Sequence, residues 1–323
     1  MPIRETSASP VLEPLGRVTD LWLDPKSVVR TKAIEALTVS TGYPVHLVER
    51  AIDNAFGELT RPKIRDFIKA EEVPFSSPKN SVVLHIGAGN VFTAWLHGAV
   101  ITLLLGHRCW IKPSMMEPVF ARLWHQSVQM ADIQMAQRIT IVAWNEELLR
   151  QVQAVVAYGS DKTLDELSKR TPDDTIFVGY GHKISIGLII NEHEIDIDMD
   201  KLCTDIEHDC ELFDMNGCLS PQVIYMVGNT ADMMKSAVSH LAKQPELRYV
   251  HDLDSWMTQI KQFRGHLSTI GIAGDLSKLE PFKSDLEELG VTRICEMGGM
   301  QRPPLTWRNG GVSLVHALKP IAV

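Results

Sequence analysis

One cysteine of this 323-residue chain stands in a sequence context that suggests chemistry. Cys218 lies between Gly217 and the turn-forming residues Leu219-Ser220-Pro221-Gln222, so a reagent has room to approach its sulfur. A thiolate can attack a thioester carbonyl because sulfur both adds and departs readily. The alternative is a small buried packing residue, as most free cysteines are. We identify Cys218 as the candidate nucleophile, and interpret as packing residues the cysteines that lack this context: Cys109, Cys203, Cys210 and Cys295.

Asn90 is the second candidate catalytic residue. It closes the stretch Gly87-Ala88-Gly89-Asn90 after a short apolar run, where α/β proteins place groups that bind ligands. Attack on a thioester builds negative charge on the carbonyl oxygen, and the Asn90 amide beside the Cys218 backbone N–H would stabilise that charge. The alternative is that this asparagine only forms a turn.

Three further segments follow predicted strands and carry small or polar residues: Trp110-Ile111-Lys112-Pro113-Ser114, Tyr158-Gly159-Ser160 and Gly179-Tyr180-Gly181-His182-Lys183. Backbone N–H groups at the helix start after Gly159 and Ser160 would hold a phosphate well, although any strand-to-helix turn favours these residue types. No G-x-G-x-x-G sequence follows the first strand, so an ordinary dinucleotide fingerprint is absent from the sequence.

The order and spacing of these motifs resemble those of the aldehyde dehydrogenase superfamily, over roughly residues 75–315. The residues around each motif are most similar to one branch, the acyl-CoA reductases, whose best-known members supply long-chain aldehyde to bacterial luciferase. The resemblance implies NADPH-dependent reduction of a fatty acyl-CoA, acyl-carrier or acyl-protein thioester through an acyl-Cys218 intermediate. It also implies an oxyanion role for Asn90, a homo-oligomer, and an acyl-activating enzyme as a possible partner.

The resemblance assigns the cofactor to Lys112, Pro113, Ser114, Gly159, Ser160 and Gly181. The segment from Lys112 to Ser114 resembles the one that touches the adenosine ribose, where the family usually continues with a glutamate. Met115 stands at that position, so a 2′-phosphate meets no carboxylate and Lys112 can pair with it, which favours NADPH over NADH. Against this, Glu117 is close enough in sequence to reach back to the ribose.

Gly179 stands where hydrolytic aldehyde dehydrogenases carry a glutamate that activates water. Without that base, an acyl-Cys218 thioester would survive to accept a hydride, which favours a reductase. His182 is a candidate proton donor to the departing thiolate, or else an exposed turn residue.

The catalytic segment departs from the family pattern. The stretch from Cys218 to the predicted strand Leu267–Ala273 is much shorter than usual, and Glu246 is the nearest substitute for the glutamate that normally holds the nicotinamide ribose. The string from Gln301 to Gly311 resembles the closing segment of acyl-CoA reductases, where Arg302 or Arg308 would meet a CoA phosphate. A proline-rich loop before a last strand explains that string equally well.

Alternating strand and helix patterns begin at Ser81 and predict a mostly parallel α/β fold. The predicted strands are short apolar runs at 82–86, 108–111, 138–142, 154–158, 175–179, 223–227, 267–273 and 291–295. We predict an aldehyde-dehydrogenase-like architecture with two Rossmann-like α/β domains and an N-terminal helical segment. The predicted boundaries are 1–75 for the helical segment, 76–204 for the NAD(P)-binding domain and 205–323 for the catalytic domain. Apolar spacing predicts helices at Ser27–Leu37, Pro44–Phe56 and Val91–Leu105.

Composition excludes several other classes of protein. A net charge of −8 argues against a nucleic-acid partner, and the most apolar stretch is too short to span a bilayer. The N-terminus lacks the apolar core of a signal peptide, and five irregularly spaced cysteines do not form a disulfide framework, so we expect a cytoplasmic protein. The spacing of Cys203, His208, Cys210 and Cys218 lacks the form of a closed zinc site.

Two alternative functions remain open from the sequence. A cofactor-independent acyltransferase or thioesterase would pass the same acyl group from Cys218 to water or to another thiol. A non-catalytic subunit would keep the fold for docking to an acyl-activating enzyme. Cofactor binding separates the reductase from the first alternative, and the reactivity of Cys218 separates both enzymes from the second.

Overall fold

The computed structural model describes residues 9–73, 80–191, 198–228, 238 and 244–322. These residues form two compact units. The first unit contains the described residues up to Gly181 together with 304–306 and the described part of 312–323, and the second contains the described residues of His182–Pro303 and Trp307–Gly311. This division lies before the predicted boundary at 204/205, and the predicted boundary at 75/76 falls outside the described residues.

The N-terminal part of the first unit is helical. Its helices are α1 (Leu12–Leu23), α2 (Val28–Thr41), α3 (Val45–Gly57) and α4 (Arg61–Ala70). The two helices predicted here, at 27–37 and 44–56, correspond to α2 and α3. Ser27 caps α2 by accepting a hydrogen bond from the backbone N–H of Val29, and Gly42 ends it with a left-handed φ of 73°.

Aromatic side chains join these helices to the rest of the first unit. Trp22 of α1 stacks on Phe56 of α3 with ring centroids 4.6 Å apart, and it meets Phe120 edge-on at 5.4 Å. The Trp22 indole N–H donates a hydrogen bond of 2.8 Å to the hydroxyl of Ser127. Since Phe120 and Ser127 belong to helix α6 (Val119–Ala131), the helical segment shares a core with the following α/β part.

A parallel sheet forms the centre of the first unit. Its strands are β1 (Val82–Ile86), β2 (Arg108–Lys112), β3 (Ile139–Ile141), β4 (Ala154–Tyr158) and β5 (Ile176–Tyr180), in the order β3-β2-β1-β4-β5. Every residue of β1 is buried, as expected for the central strand of a sheet covered on both faces. The connecting helices are α5 (Leu96–Leu104), α6, α7 (Ile133–Ala136) and α8 (Asp161–Arg170). Helix α5 begins later than the predicted helix at 91–105.

The second unit contains another parallel sheet. Its strands are β6 (Ile184–Asn191), β7 (Pro221–Gly228), β8 (Glu246–Val250), β9 (Leu267–Ala273) and β10 (Arg293–Glu296), in the order β10-β9-β6-β7-β8. Helices α9 (Met199–Glu211), α10 (Leu253–Ile260) and α11 (Lys283–Leu289) belong to this unit, whereas α12 (Leu314–Leu318) belongs to the first. The prediction of a mixed α/β fold with two parallel sheets is confirmed, but β6 and β8 were not predicted.

Candidate active-site residues

The catalytic candidate Asn90 and the predicted cofactor residues lie at one edge of the first sheet. Asn90, Lys112, Gly159 and Gly181 each end or follow a strand of this sheet. Because the strands are parallel, their carboxyl ends meet at the same edge. The chain runs from β1 to β2 and β3 on one side, and then crosses to β4 on the other. In parallel sheets, ligands usually bind in the crevice at such a reversal, which here lies between the β1 and β4 loops.

The loop after β2 packs closely against the loop after β1. The Lys112 carbonyl accepts a 3.0 Å hydrogen bond from the Gly87 N–H, and partial burial lowers the pKa of the Lys112 ammonium. A Cβ on Gly89 would lie 2.9 Å from the Ser114 hydroxyl, so glycine permits this approach. Met115 is 91% exposed at the position where the family usually has a glutamate.

Glu117 does not reach back toward the ribose position. It is 5% exposed, and its Oε1 accepts hydrogen bonds from the backbone N–H groups of Val119 at 2.7 Å and Phe120 at 3.0 Å. The same oxygen accepts a 3.3 Å hydrogen bond from the Ser40 hydroxyl. Burial raises the pKa of Glu117, and these donors partly oppose the rise. The carboxylate therefore satisfies the first turn of α6, and the alternative weighed in the sequence is wrong.

In the Gly159-Ser160 turn after β4, the Gly159 N–H and the Ser160 hydroxyl form hydrogen bonds within the protein. The Gly159 N–H donates a 3.2 Å hydrogen bond to the Tyr180 carbonyl. The Ser160 hydroxyl caps α8 by accepting a 3.3 Å hydrogen bond from the N–H of Thr163. A Cβ on Gly181 would collide with a carboxylate oxygen of Asp161, so this glycine allows the end of β5 to pass the start of α8. A phosphate at α8 would have to use the other N–H groups of its first turn.

The segment from Gly179 to Lys183, which leads from β5 to β6 along the chain, carries no carboxylate. Gly179 is exposed in β5 and His182 is exposed in the turn that follows. Lys183 donates a 2.7 Å hydrogen bond from Nζ to the Gly265 carbonyl at the start of the β9 region. The lysine of this motif thus ties β6 to the turn before β9.

Cys218 lies at the opposite edge of its own sheet, in the loop between α9 and β7. We call residues 212–220 the Cys218 loop; it ends where β7 begins at Pro221. Cys218 is half-buried. Burial raises the pKa of the Cys218 thiol to about 11, and the backbone N–H of Cys218 itself opposes this rise by donating to the sulfur. Burial therefore raises the pKa of the thiol by more than the backbone N–H lowers it.

The Cys218 loop contains a left-handed turn without glycine. Phe213, Asp214 and Met215 have φ values of 57°, 52° and 57°. For non-glycine residues this conformation costs about 1–2 kcal/mol each. Such strain persists only where the surrounding structure holds the backbone in place, and it is concentrated at functional sites. The Cys218 loop is therefore a segment that other parts of the second unit must hold.

Two side chains of adjacent strands hold the backbone of this loop. Ser185 of β6 is fully buried, and its hydroxyl donates a 2.6 Å hydrogen bond to the Cys218 carbonyl. The pairing of β6 with both neighbouring strands shifts in register next to Ser185, and Gln222 is skipped in the register with β7. The Gln222 amide donates to the carbonyls of Met215 at 2.9 Å and Ser220 at 3.3 Å. Irregular pairing thus places two polar side chains on the Cys218 loop.

A buried network connects the Cys218 loop to the segment after β10. Asp209 of α9 is fully buried and accepts hydrogen bonds from the N–H groups of Gly298 at 2.6 Å and Met300 at 3.0 Å. The Gln301 amide donates to the Asp209 carbonyl at 2.8 Å and to the Ser220 hydroxyl at 2.9 Å. Arg293 donates to the carbonyls on the other side of this segment, at 2.7 Å for Met300.

Burial raises the pKa of Asp209 to about 7, although backbone N–H donors and Arg293 oppose the rise. The sequence analysis did not identify Asp209, Gln301 or Ser185. A signal existed for Asp209, because it shares the buried stripe of α9 with Leu202, Ile206 and Cys210. A carboxyl group on such a stripe needs buried partners.

The remaining candidates for cofactor or CoA binding form ion pairs or hydrogen bonds within the second unit. Glu246 forms an ion pair with Arg248 at 2.8 Å, so the suggested substitute for a ribose-binding glutamate is engaged elsewhere. The Trp307 indole N–H donates 3.1 Å to the Thr292 hydroxyl, and Arg302 donates 3.1 Å to the Gly298 carbonyl. Within the part of the chain that the structure describes, no group of three or more metal-ligating side chains occurs. No described helix is long and apolar enough to cross a membrane.

Solved structures with the same fold are aldehyde dehydrogenases and a related enzyme. A putative aldehyde dehydrogenase from Burkholderia cenocepacia has a TM-score of 0.69 at 10% identity, covering 90% of this chain and 79% of that one. An aldehyde dehydrogenase of Pseudomonas syringae, solved with NAD+ and octanal, has a TM-score of 0.68 at 10% identity, covering 90% and 77%. An NADP-dependent enzyme of E. coli has a TM-score of 0.68 at 12% identity, covering 89% and 78%. The predicted aldehyde-dehydrogenase-like fold is confirmed.

Curated relatives are named long-chain acyl-protein thioester reductases. The one from Photorhabdus laumondii is 25% identical over 187 residues, which are 55% of this chain and 37% of the relative. The one from Vibrio harveyi is 26% identical over 162 residues, which are 47% of this chain and 33% of the relative. The chain thus spans about a third of the length of the curated relatives it matches.

The family model described as acyl-CoA reductase (LuxC) matches residues 3–248 and 230–319. The match comes in two segments that overlap at residues 230–248, within the stretch that the resemblance leads us to expect is shortened. Together the two segments cover nearly the whole chain. The suspected resemblance is therefore confirmed, and the chain belongs to the acyl-CoA reductase (LuxC) family.

Proposed function

We propose that this chain reduces a fatty acyl thioester to an aldehyde with NADPH, through an acyl-Cys218 intermediate. The observation that carries the proposal is the position of Cys218. All five cysteines lie in described residues, and Cys218 is in a strained and anchored loop, whereas the others lie in α9 or in strands. A thiol used only for packing needs no such loop.

The first step uses the residues of the second unit. The Cys218 thiolate adds to the acyl carbonyl, a C–S bond forms, and the thiol of the donor departs with a proton. The Cys218 N–H would stabilise the charge on the carbonyl oxygen, a role that the family resemblance also implies for the Asn90 amide. The raised pKa of Cys218 means that the thiol is protonated at neutral pH. Thiolate formation must therefore accompany the binding of acyl donor or cofactor.

The carboxyl edge of the first sheet suits a nicotinamide dinucleotide. The crevice between the β1 and β4 loops lies at the reversal of strand order, and Lys112 stands beside it as a cation for phosphate. The residue at the usual glutamate position is Met115, and the Glu117 carboxylate is hydrogen-bonded to the first turn of α6. This segment therefore provides no carboxylate at the ribose position. This supports NADPH over NADH. When bound, the cofactor supplies the hydride that reduces the acyl-Cys218 carbonyl.

The absence of a glutamate at Gly179 supports reduction over hydrolysis. This segment carries no carboxylate that could direct water to the thioester, so the acyl-Cys218 bond persists until the carbonyl is reduced. The resulting thiohemiacetal then releases the aldehyde, and the sulfur of Cys218 takes up a proton. The names of the curated relatives favour an acyl-protein thioester as donor. Its delivery by an acyl-activating enzyme in the cytoplasm belongs to the same proposal. A homo-oligomer is part of the same proposal.

The test follows NADPH absorbance and free thiol in parallel. Purified protein is given a long-chain acyl-CoA, or an acyl-carrier-protein thioester, with wild type compared with Cys218→Ala. Cys203→Ala is the matched control, because Cys203 is another half-buried cysteine in the same unit. We expect NADPH oxidation that Cys218→Ala lowers by at least about 10³-fold and Cys203→Ala leaves unchanged.

Other outcomes reject the proposal in distinguishable ways. Thiol release that needs Cys218 but consumes no NADPH would establish acyl transfer or hydrolysis. Absence of both signals with either donor would reject the chain as a reductase acting alone and favour the docking subunit. Equal oxidation by NADH and NADPH would reject the cofactor assignment while leaving the reaction in place.

A further inference from the structure

We propose that Ser185 and Gln301 are positioning residues that hold the Cys218 loop in its reactive conformation. The inference rests on the proposed role of Cys218 as nucleophile. Neither residue is among the candidate site residues from the sequence, and both contact the loop through buried hydrogen bonds within the second unit.

Ser185 contacts the nucleophile's own backbone. Its hydroxyl oxygen accepts a 3.3 Å hydrogen bond from the Thr269 N–H of β9, and its hydroxyl donates 2.6 Å to the Cys218 carbonyl. This chain links the two central strands of the sheet to Cys218. In a buried environment the two hydrogen bonds strengthen each other, and an unmade one is costly. Ser185 thereby fixes the peptide plane that follows the Cys218 side chain.

Fixing the Cys218 backbone matters because its N–H favours the thiolate. The Cys218 N–H lowers the pKa of the thiol against the effect of burial. It can do so only while the loop presents the N–H to the sulfur. The same N–H is proposed to stabilise the oxyanion. A loop that loses this geometry should ionise its cysteine less readily.

Gln301 holds the loop from the other side. Its amide reaches the Asp209 carbonyl and the Ser220 hydroxyl, and Ser220 is fully buried just before β7. The segment that carries Gln301 lies against two glycines that face each other across β6 and β9. A Cβ on Gly187 would lie 2.9 Å from the Met297 side chain, and a Cβ on Gly271 would collide with Met300. The sheet, the segment after β10 and the Cys218 loop therefore pack as one assembly.

The test measures alkylation of Cys218 by iodoacetamide, followed by mass spectrometry, without cofactor or acyl donor. Wild type is compared with Ser185→Ala and with Gln301→Met, which keeps the side-chain length but removes the amide. Ser268→Ala is the matched control, because Ser268 is a buried serine of β9 whose hydroxyl has no hydrogen-bond partner among the described residues. Rates are measured from pH 8 to pH 12 on proteins shown by thermal melting to be folded at each pH.

The expected result is a lower rate with a displaced pH profile. Ser185→Ala should slow alkylation about tenfold and Gln301→Met about threefold, with the midpoint moving to higher pH, since loss of one buried hydrogen bond is of this size. Ser268→Ala should stay within about twofold of wild type. A residue with a merely structural role would lower the melting temperature without moving this midpoint.

A second measurement covers variants that react or fold poorly. Hydrogen–deuterium exchange of the peptide containing residues 212–220 should rise in Ser185→Ala and Gln301→Met but not in Ser268→Ala. Wild-type rates and exchange in both variants would overturn the positioning role. If Ser185→Ala does not fold, the alkylation and exchange of Gln301→Met decide whether side chains outside the Cys218 loop position it. If Cys218→Ala keeps wild-type NADPH oxidation in the assay of the proposed function, the nucleophile assignment fails, and the exchange result still decides whether these residues hold the loop.

Discussion

The two sheets have the same strand order but present their candidate residues at opposite ends. Starting from β1 or from β6, each chain segment adds two strands on one side and then two on the other. In the first unit the candidates follow the carboxyl ends of the strands, at the reversal of strand order. In the second unit Cys218 precedes the amino end of β7. Identical topology therefore does not decide where chemistry is placed.

The two edges are also built differently. At the carboxyl edge, Asn90 and Met115 are exposed, and the side chains that are held, such as Ser160 and Glu117, serve helix starts. At the amino edge, the Cys218 loop is left-handed and is held by buried side chains from other elements. A cofactor is bound by many contacts and tolerates a loose loop, whereas a nucleophile must be held within a narrow range of positions.

The largest effect is expected at Asp209, whose carboxyl group accepts hydrogen bonds from the N–H groups of Gly298 and Met300. Asn at this position would turn an amide N–H toward a backbone N–H, so at pH 4 Asp209→Asn should have a free energy of unfolding about 1–3 kcal/mol below that of wild type. The folded pKa of about 7 exceeds the unfolded value of 3.8. Wild type should therefore lose up to about 4 kcal/mol relative to Asp209→Asn as pH rises from 4 to 7.

Denaturant unfolding of both proteins from pH 4 to pH 8 measures this difference. Glu207→Gln is the control, since Glu207 lies on the same helix outside its buried stripe. If the free energies of unfolding of wild type and Asp209→Asn change with pH in parallel, Asp209 has the same pKa in the folded and unfolded states. The prediction of a raised pKa in the buried network would then be wrong.

Asn90→Ala tests whether the carboxyl edge takes part in catalysis. Loss of one oxyanion donor should lower kcat about 10²-fold with a small change in KM, because the interaction forms in the transition state. Alkylation of Cys218 by iodoacetamide should be unchanged, since the side chains of Ser185, Gln222 and Gln301 hold the Cys218 loop. Asn54→Ala, on α3, is the control for a lost asparagine. An unchanged kcat would reduce Asn90 to a turn former.

Gly271→Ala and Gly159→Ala compare the packing of the two edges. A Cβ on Gly271 collides with the sulfur of Met300, so we expect a loss of about 1–3 kcal/mol in the free energy of unfolding. A Cβ on Gly159 has its nearest neighbours at 3.6 Å, so its stability should change by less than about 0.5 kcal/mol. Thermal melting checks both. Equal losses would contradict the view that the amino edge is the more tightly built.

Met115→Glu has the smallest expected effect and addresses cofactor choice. A carboxylate beside the ribose position would repel a 2′-phosphate, so the ratio of kcat/KM for NADPH to that for NADH should fall about tenfold. Met116→Glu is the control, because Met116 is the next residue and is also exposed, at 76%. If both variants had the same ratio of kcat/KM values, a negative charge anywhere near this loop would weaken the use of NADPH. Met115 would then not be the residue that selects the cofactor.

Much of the fold was predictable because local patterns specify it. Strands β4 and β9 begin and end as predicted, and β1 lies in the predicted apolar run, since apolar stretches between helical patterns indicate buried parallel strands. Strand β6 was missed although Ile184–Asn191 is strongly apolar. It follows β5 after only Gly181, His182 and Lys183, and joins a different sheet, which no local pattern specifies. Strand β8 carries charged and exposed residues and gave a weak signal.

The sequence by itself determined the family and the alternation of strands and helices, and it supplied the candidate catalytic residues, because residue type and order along the chain carry that information. The tertiary structure decided what surrounds them. Glu117 and Ser160 serve helix starts, and Ser185, Asp209 and Gln301 support Cys218 from three separate segments. Hydrogen bonds between residues far apart in the chain form only after the strands pair, so no local pattern could reveal them.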